Sequence, residues 1–322
     1  MKKALICGIS GQDGAYLAKL LLEKGYIVIG TSRDAQLSSF SNLQKLGIYE
    51  KITFETMALN DYRSVLNVVM NTLPDEIYNL AGQTSVALSF QQPVETIESI
   101  IIGTLNLLEA IRFAKKEIKF YNAGSSECFG NTSKDGANEE SVFKPMSPYG
   151  VAKSASFWQV DSYRNAYNLF CVTGILFNHE STLRDKRFVS KKIINTACRI
   201  KNGSSEKLEL GNLYIRRDWG WAPEYVEAMW KMLQNKTPVD YVIGTGINHS
   251  LEDFVIQTFS LLDLDWRSHV VENKMFNRPS DISISIANPT KANRDLNWKA
   301  TTELKDLIKI MITEEITQYE NI

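Results

Sequence analysis

The chain has 322 residues, 44% of them hydrophobic and 23% charged, which suits one large or two modest globular domains with an ample core. A formal net charge of −1 argues against nucleic acid as the main partner, because no bulk positive field meets a phosphate backbone. No apolar run reaches membrane-spanning length, since the best, residues 99–111, is interrupted by Asn106 and Glu109, and the N-terminal apolar stretch stops too early, at Gln12-Asp13, for a signal peptide.

Residues 4–8 predict a strand. Residues 12–24 predict a helix with Tyr16, Leu17, Leu20 and Leu21 on one face, closed by Gly25. Between them Gly8-Ile9-Ser10-Gly11-Gln12-Asp13-Gly14 spaces its glycines one residue wider than the common dinucleotide fingerprint. The chemistry is the same: a tight turn, close backbone approach to a pyrophosphate, and a helix N-terminus facing it. The next strand, residues 27–31, runs into Ser32-Arg33-Asp34, where ribose substituents are read. Arg33 suits a 2′-phosphate and Asp34 a 2′-hydroxyl, and the order favours NADP over NAD.

Further strands are predicted at 52–55, 76–80, 119–123 and 169–176, with helices at 64–70, 104–114 and 149–167 between them. This β-α-β rhythm implies a doubly wound parallel sheet, a Rossmann fold, as a dinucleotide-binding domain over residues 1–167. After Asn178 the rhythm loosens, with loops at 202–205, 244–246 and 277–280. Residues 168–322 are expected to form mainly a smaller mixed α/β substrate domain, with later segments returning to the sheet. Cys7, Cys128, Cys171 and Cys198 lack metal-ligand spacing and suit buried thiols in a reducing cytoplasm. His179, His249 and His269 are scattered, so no metal site is expected.

Tyr149-x-x-x-Lys153 follows Ser147-Pro148, a helix start. Composition alone supplies about one such pair by chance, so its weight comes from context. Ser125 lies at the C-terminal end of the preceding strand, the edge where open α/β sheets place ligands. An ammonium about 4 Å from a phenol, at an effective dielectric near 20, interacts by roughly 4 kcal/mol and lowers its pKa by up to about three units. Lys153 would thus poise Tyr149 as a base, and Ser125 would bond the same substrate oxygen. Glu127, two residues beyond Ser125, would face the same pocket if strand alternation continued. A second acid/base there is more than alcohol oxidation needs.

The sequence resembles the extended short-chain dehydrogenase/reductases, and closely the GDP-mannose 4,6-dehydratase family. The likeness runs nearly end to end, through the Gly8–Leu17 segment, Tyr78-Asn79-Leu80-Ala81, Leu107–Arg112, Gly174-Ile175-Leu176-Phe177-Asn178-His179-Glu180-Ser181 and Arg217-Asp218-Trp219-Gly220. The resemblance implies oxidation of a hexose C4 by the cofactor, loss of water across C5 and C6, and return of the hydride to C6. It implies Tyr149, Lys153, Ser125 and Glu127 as the catalytic set, with Glu127 removing the C5 proton and Ser126 assisting near C6. Cofactor contacts would come from Gly8, Gly11, Gln12, Asp13, Gly14, Arg33, Leu80, Ala81, Tyr149 and Lys153. Substrate contacts would come from Ser89, Ser126, Asn178, Lys192, Arg217, Arg278 and Asp281. A cytoplasmic homodimer or homotetramer acting on a GDP-sugar, with no membrane or nucleic-acid partner, completes the expectation.

Several positions depart from the family. Asp281 replaces a glutamate, Met57-Ala58 a Gly-Asp pair near adenine, and Ser32-Arg33-Asp34 an Arg-Arg pair, while Thr182 and Arg184-Asp185 alter a loop near the sugar. They leave room for a GDP-heptose. Gly124-Ser125-Ser126-Glu127 also resembles the keto-sugar-nucleotide reductases and epimerases. A non-catalytic dinucleotide sensor is the remaining reading, and the intact Ser125, Glu127, Tyr149 and Lys153 set argues against it.

Overall fold

A computed structural model describes residues 1–276 and 278–320; Asn277, in the predicted loop 277–280, lies outside them. The first half begins β1 (Lys3–Cys7), α1 (Gln12–Glu23), β2 (Ile27–Ser32), α2 (Ser41–Lys45), β3 (Thr53–Thr56), α3 (Tyr62–Thr72) and β4 (Glu76–Asn79). Then come α4 (Val86–Gln91), α5 (Pro93–Ile97), a π-helical turn, α6 (Gly103–Ala114), β5 (Lys119–Ala123), α7 (Pro148–Tyr167) and β6 (Cys171–Leu176). The second half runs β7 (Asn178–Glu180), α8 (Val189–Lys201), β8 (Leu208–Leu210), β9 (Arg216–Arg217), β10 (Trp219–Trp221) and α9 (Ala222–Gln234). It ends β11 (Tyr241–Ile243), β12 (His249–Ser250), α10 (Leu251–Ser260), β13 (Val270–Glu272), α11 (Thr290–Asp295) and α12 (Leu304–Glu320).

Seven parallel strands form one sheet in the order β11-β6-β5-β4-β1-β2-β3. Its order reverses between β1 and β4, so a crevice opens at their C-terminal ends. Alternate residues of β1 feed opposite faces: Ala4 and Ile6 join the core with α1 and α9, Leu5 and Cys7 the core with α3 and α6. Every residue of β4 and β6 is buried, as expected of strands covered on both faces. All four cysteines are buried and unpaired by disulfides.

The chain does not leave the sheet at residue 167. Both β6 and β11 belong to it, and α9 packs across α1. The second lobe has its own core, built from Ile193, Ile194 and Cys198 of α8, Leu208 of β8, Phe254 of α10 and Leu307 of α12. Its strands are two or three residues long and pair between segments far apart in the chain, β7 with β10 and β9 with β12. Among the described residues, no helix is long and apolar enough to cross a membrane, and no cluster of His, Cys, Asp and Glu could hold a metal.

Candidate active site

A cavity of about 680 Å³ lies over the C-terminal ends of β5 and β6 and extends into the second lobe. Ser125, Ser126, Glu127, Tyr149 and Lys153 all line it. Glu127 gets there by a different route from strand alternation. The strand ends at Ala123, Ser125 caps a 3-10 turn over Ser126–Cys128, and its Oγ accepts from the Glu127 amide at 3.3 Å. A 3-10 turn carries three residues per turn, and this one, at the strand's end, leaves Ser125, Ser126 and Glu127 all on the cavity wall.

The helix α7 supplies the pair. Ser147 accepts from the Gly150 amide at 3.0 Å and Pro148 occupies the first turn, so the helix starts at the rim with Tyr149 and Lys153 facing inward. Lys153 Nζ donates to the Ala123 carbonyl at 2.6 Å and stands 5.8 Å from the centre of the Tyr149 ring. Burial pulls its pKa down to about 8. Burial also pushes the Tyr149 phenol well above its ordinary value; the Glu127 charge adds to this, and the Ser125 hydroxyl works against it. The near-neutral phenol expected from the sequence is therefore not produced by the chain's own groups. Desolvation is the largest influence on the phenol, and it pushes the pKa up.

Glu127 is half-buried. Desolvation raises its pKa, the guanidiniums of Arg278 and Arg217 pull the other way, Asp281 adds to the rise, and the Ser147 hydroxyl opposes it. The carboxyl is thus shifted upward, in the direction a general base requires.

Beyond Glu127 the wall turns cationic. Pairing of β7 with β10 sets Asn178 opposite Trp219, two residues beyond Arg217. The Arg217 side chain is buried and donates to the carbonyls of Ile282 (2.7 Å) and Arg216 (3.0 Å) and to Asp281 Oδ1 (2.9 Å). Arg278 reaches the same oxygen at 3.3 Å. Asp281, expected as a substrate contact, thus holds two arginines together. Asp218 accepts from the amides of Thr245, Gly246 and Ala287 and from the Thr245 hydroxyl, tying the segment down. At the far end Lys192 donates to the Glu209 carbonyl at 2.7 Å and lies 4.0 Å over the Phe276 ring.

The glycine loop fits a dinucleotide. A Cβ on Gly14 would stand 2.4 Å from the Gly8 carbonyl oxygen, so only glycine lets α1 approach β1 this closely. Gly8, at φ +83°, lies against the Ala81 backbone, where a Cβ would meet Cα at 2.9 Å. Gly11, in contrast, faces space: a Cβ there would meet only the Gly8 oxygen, at 3.4 Å. An anion can therefore reach the α1 N-terminus. Leu80 lines the cavity, and Ala81 supports the loop. Arg33 is exposed and has no ion pair among the described residues. Met57 is buried, its amide bonded to the Ser32 carbonyl.

One expected contact lies elsewhere. Ser89 is fully buried, its hydroxyl bonded to the Val86 carbonyl at 2.7 Å, and it does not line the cavity, although Thr84, Ser85, Val86 and Ala87 do. Gln12 and Asp13 spend their side chains on residues 179–181. The cavity also contains His179, Glu180 and Phe188, for which the sequence offered no role, and Arg184, marked there only as a departure.

A family model described as GDP-mannose 4,6 dehydratase matches residues 5–311. GDP-mannose 4,6 dehydratase 1 of Arabidopsis thaliana is 42% identical over 98% of this chain and 90% of its own length. GDP-mannose 4,6-dehydratase of Sinorhizobium fredii is 39% identical over 98% and 97%. The solved structure of Thermus thermophilus UDP-glucose 4-epimerase in complex with NAD superposes with a TM-score of 0.85 at 23% identity, over 98% of this chain and 99% of that one, a likeness of fold.

Proposed function

The chain belongs to the GDP-mannose 4,6-dehydratase family, and from that premise we propose that its cavity converts GDP-mannose to GDP-4-keto-6-deoxy-mannose. The observation that carries this is the carboxyl of Glu127 in one cavity with Tyr149, Ser125 and Lys153, facing Arg217 and Arg278. Residues Gly8–Gly14 would hold a nicotinamide dinucleotide, which would supply reversible hydride transfer with none consumed overall.

The chain's residues handle the protons. Tyr149 takes the C4 hydroxyl proton while Ser125 bonds the oxygen, which becomes a ketone. Positive charge beside the phenol lowers its pKa, and Lys153 is the chain's own source of it. The C4 ketone acidifies the C5 proton, which passes to Glu127. Ser126 bonds the C6 hydroxyl, which leaves as water on taking up the proton from Glu127, and a solvent proton delivered to C5 balances the hydride received at C6. Arg217 and Arg278 suit a diphosphate through their planar donor forks, Asp281 orienting both. Lys192 and Asn178 would complete the nucleotide-sugar contacts.

Incubation with GDP-mannose, then mass analysis for loss of water, tests the reaction; loss of water with no net change in NADPH identifies a dehydratase. Stoichiometric NADPH consumption on the keto product would instead make it a reductase. GDP-heptoses belong in the same panel, because Thr182 and Arg184 depart from the family pattern in a segment whose Arg184 lines the cavity.

For the cofactor the proposal is NADP. Arg33 sits exposed at the end of β2, beside the Ser32–Ser38 hydroxyl bond, and no acceptor among the described residues neutralises it. Arg33→Ala is expected to weaken NADP⁺ binding about tenfold or more, the worth of a charge-assisted bond, and NAD⁺ binding less than about twofold. Titration calorimetry reads both; equal losses for the two cofactors would return the assignment to NAD.

A homo-oligomer is also proposed. Val151 and Trp158, two turns apart on α7, are about half exposed and offer an apolar stripe of the kind a second copy covers. Sedimentation showing only monomer would overturn this. The reaction is proposed to be cytoplasmic, which four unoxidised buried thiols suit and cell fractionation tests.

A further inference from the structure

One cluster on the cavity wall takes no part in the chemistry above. The first turn of α1 meets residues 179–182 through a set of side-chain bonds. Gln12 Nε2 donates to the His179 carbonyl at 3.1 Å and to Asp13 Oδ1 at 3.0 Å, while Ser181 Oγ donates to Gln12 Oε1 at 2.7 Å. The Tyr16 hydroxyl meets Thr182 Oγ1 at 3.1 Å. At the centre His179 Nε2 lies 2.8 Å from Asp13 Oδ2, and Nδ1 lies 2.7 Å from the Phe177 carbonyl oxygen.

Both ring nitrogens of His179 therefore face oxygen atoms, a carbonyl and a carboxylate. A doubly protonated ring donates to both, and the raised His179 and lowered Asp13 pKa values favour imidazolium against carboxylate. The ring stacks on Tyr225 of α9, centres 4.6 Å apart and planes at 24°. The charged and titratable groups facing it are Asp13 from α1, Arg184 from its own segment, and the phenol of Tyr225, which burial keeps neutral. Glu180, next in sequence, is occupied by Arg184 at 2.9 Å, which leaves Asp13 as the counter-ion. Burial opposes the cation, but Asp13 and the Phe177 carbonyl outweigh it and hold the His179 pKa above its ordinary value. Burial likewise opposes the Asp13 carboxylate, and His179 brings its pKa below the usual range.

The position of this pair gives it consequence. Asp13 is two residues past Gly11 of the anion-facing loop, and His179 directly follows Asn178 on the strand paired with the segment just after Arg217. We propose that the Asp13–His179 ion pair latches the pyrophosphate loop to the substrate strand, so that nucleotide bound on one side raises affinity on the other. The inference rests on the reading of these two sides as cofactor and nucleotide-sugar sites. Asp13 and His179 are positioning residues in it: they touch the loop and strand, not the reacting carbons. Coupling of this kind is reciprocal, because each ligand stabilises the conformation that the other needs.

Titration calorimetry of GDP into the protein, with and without saturating NADP⁺, reads the coupling without turnover. Roughly fivefold or greater tightening by NADP⁺ is expected. Asp13→Asn and His179→Gln keep size and hydrogen-bonding groups but remove a charge; each should cut the coupling below about twofold, and the double variant should go no further because the pair acts as one unit. Proton NMR gives a ligand-free readout. The chain has three histidines, and the resonance missing in His179→Gln should titrate above the ordinary range and fall in Asp13→Asn.

A raised folded-state pKa means the latch is closed below it and opens as pH rises through it. Wild-type coupling should therefore fade across that titration, a test that needs no variant to fold. Binding of both nucleotides without coupling, or coupling intact in either variant, overturns the latch alone. So does a His179 titration indifferent to Asp13→Asn. Binding of neither nucleotide overturns the reading of the site along with the coupling.

Discussion

Tyr149→Phe is expected to lower turnover of GDP-mannose by roughly 10³- to 10⁴-fold, the upper range for loss of a positioned acid/base. The phenol is buried on the cavity wall between Ser125 and Lys153, and phenylalanine keeps the ring and its packing against Ile100 and Ala152. Binding of NADP⁺ and GDP should be nearly unchanged, and Tm should stay within about 2 °C, because one hydroxyl is removed and no cavity of side-chain size is made. The loss then falls on kcat and on kcat/KM alike, as for a group used in the transition state. The pH profile separates two versions of the role. Burial holds the phenol above its ordinary pKa, so proton removal at C4 needs added positive charge. Lys153→Met should therefore move the basic requirement of kcat to higher pH as well as lowering the rate. A Tyr149→Phe enzyme within tenfold of wild type would mean that another group takes the C4 proton.

How much of this was legible in the chain differs between its halves. In the first, strands buried on both faces leave continuous apolar runs, and the observed strands fall within two residues of the predicted ones. The predicted helix at 104–114 captured α6 but missed α4, α5 and the π turn before it, where Pro93 and polar residues interrupt the pattern. In the second half β7, β9, β10 and β12 are too short for any period to register. Their partners lie roughly 30 to 40 residues away, which no local pattern encodes.

The site divides in the same way. Tyr149 and Lys153 carry a local spacing and Ser125 a strand end, so residues could suggest them before any resemblance did. Glu127 was expected beside them through strand alternation, and a 3-10 turn brings it there instead. The role of Asp281 as a clasp on Arg217 and Arg278 depends on the distance between residues 217 and 281, invisible in one dimension. The same holds for Asp13 and His179, which are 166 residues apart.

Glu127→Gln separates the dehydratase reading from simple oxidation and reduction, and is expected to lower water loss by roughly 10²- to 10⁴-fold. The amide keeps the size of the side chain but cannot accept the C5 proton, so wash-in of solvent deuterium at C5 should stop together with elimination. Substrate affinity should change little, since Arg217, Arg278 and Lys192 are untouched. In the wild type the raised pKa of Glu127 places the acid limb of kcat/KM above the ordinary carboxylate range. Arg278 is the leading charge opposing that rise, so Arg278→Ala should move the limb to still higher pH.

Stability should respond in the opposite sense to activity. A carboxyl whose folded-state pKa is raised contributes stability below its unfolded pKa, about 4.3, and loses it as pH rises through the folded value. At neutral pH the wild type therefore carries the cost of a half-buried carboxylate, and glutamine does not. Glu127→Gln should melt about 1–2 °C higher than wild type at neutral pH and converge with it near pH 4. An inactive variant that is also less stable at neutral pH would point to a structural role for the carboxylate. A variant that still eliminates water would send the C5 proton to another base. Higher stability with elimination abolished is the combination expected of a residue kept in an unfavourable ionised state for its chemistry.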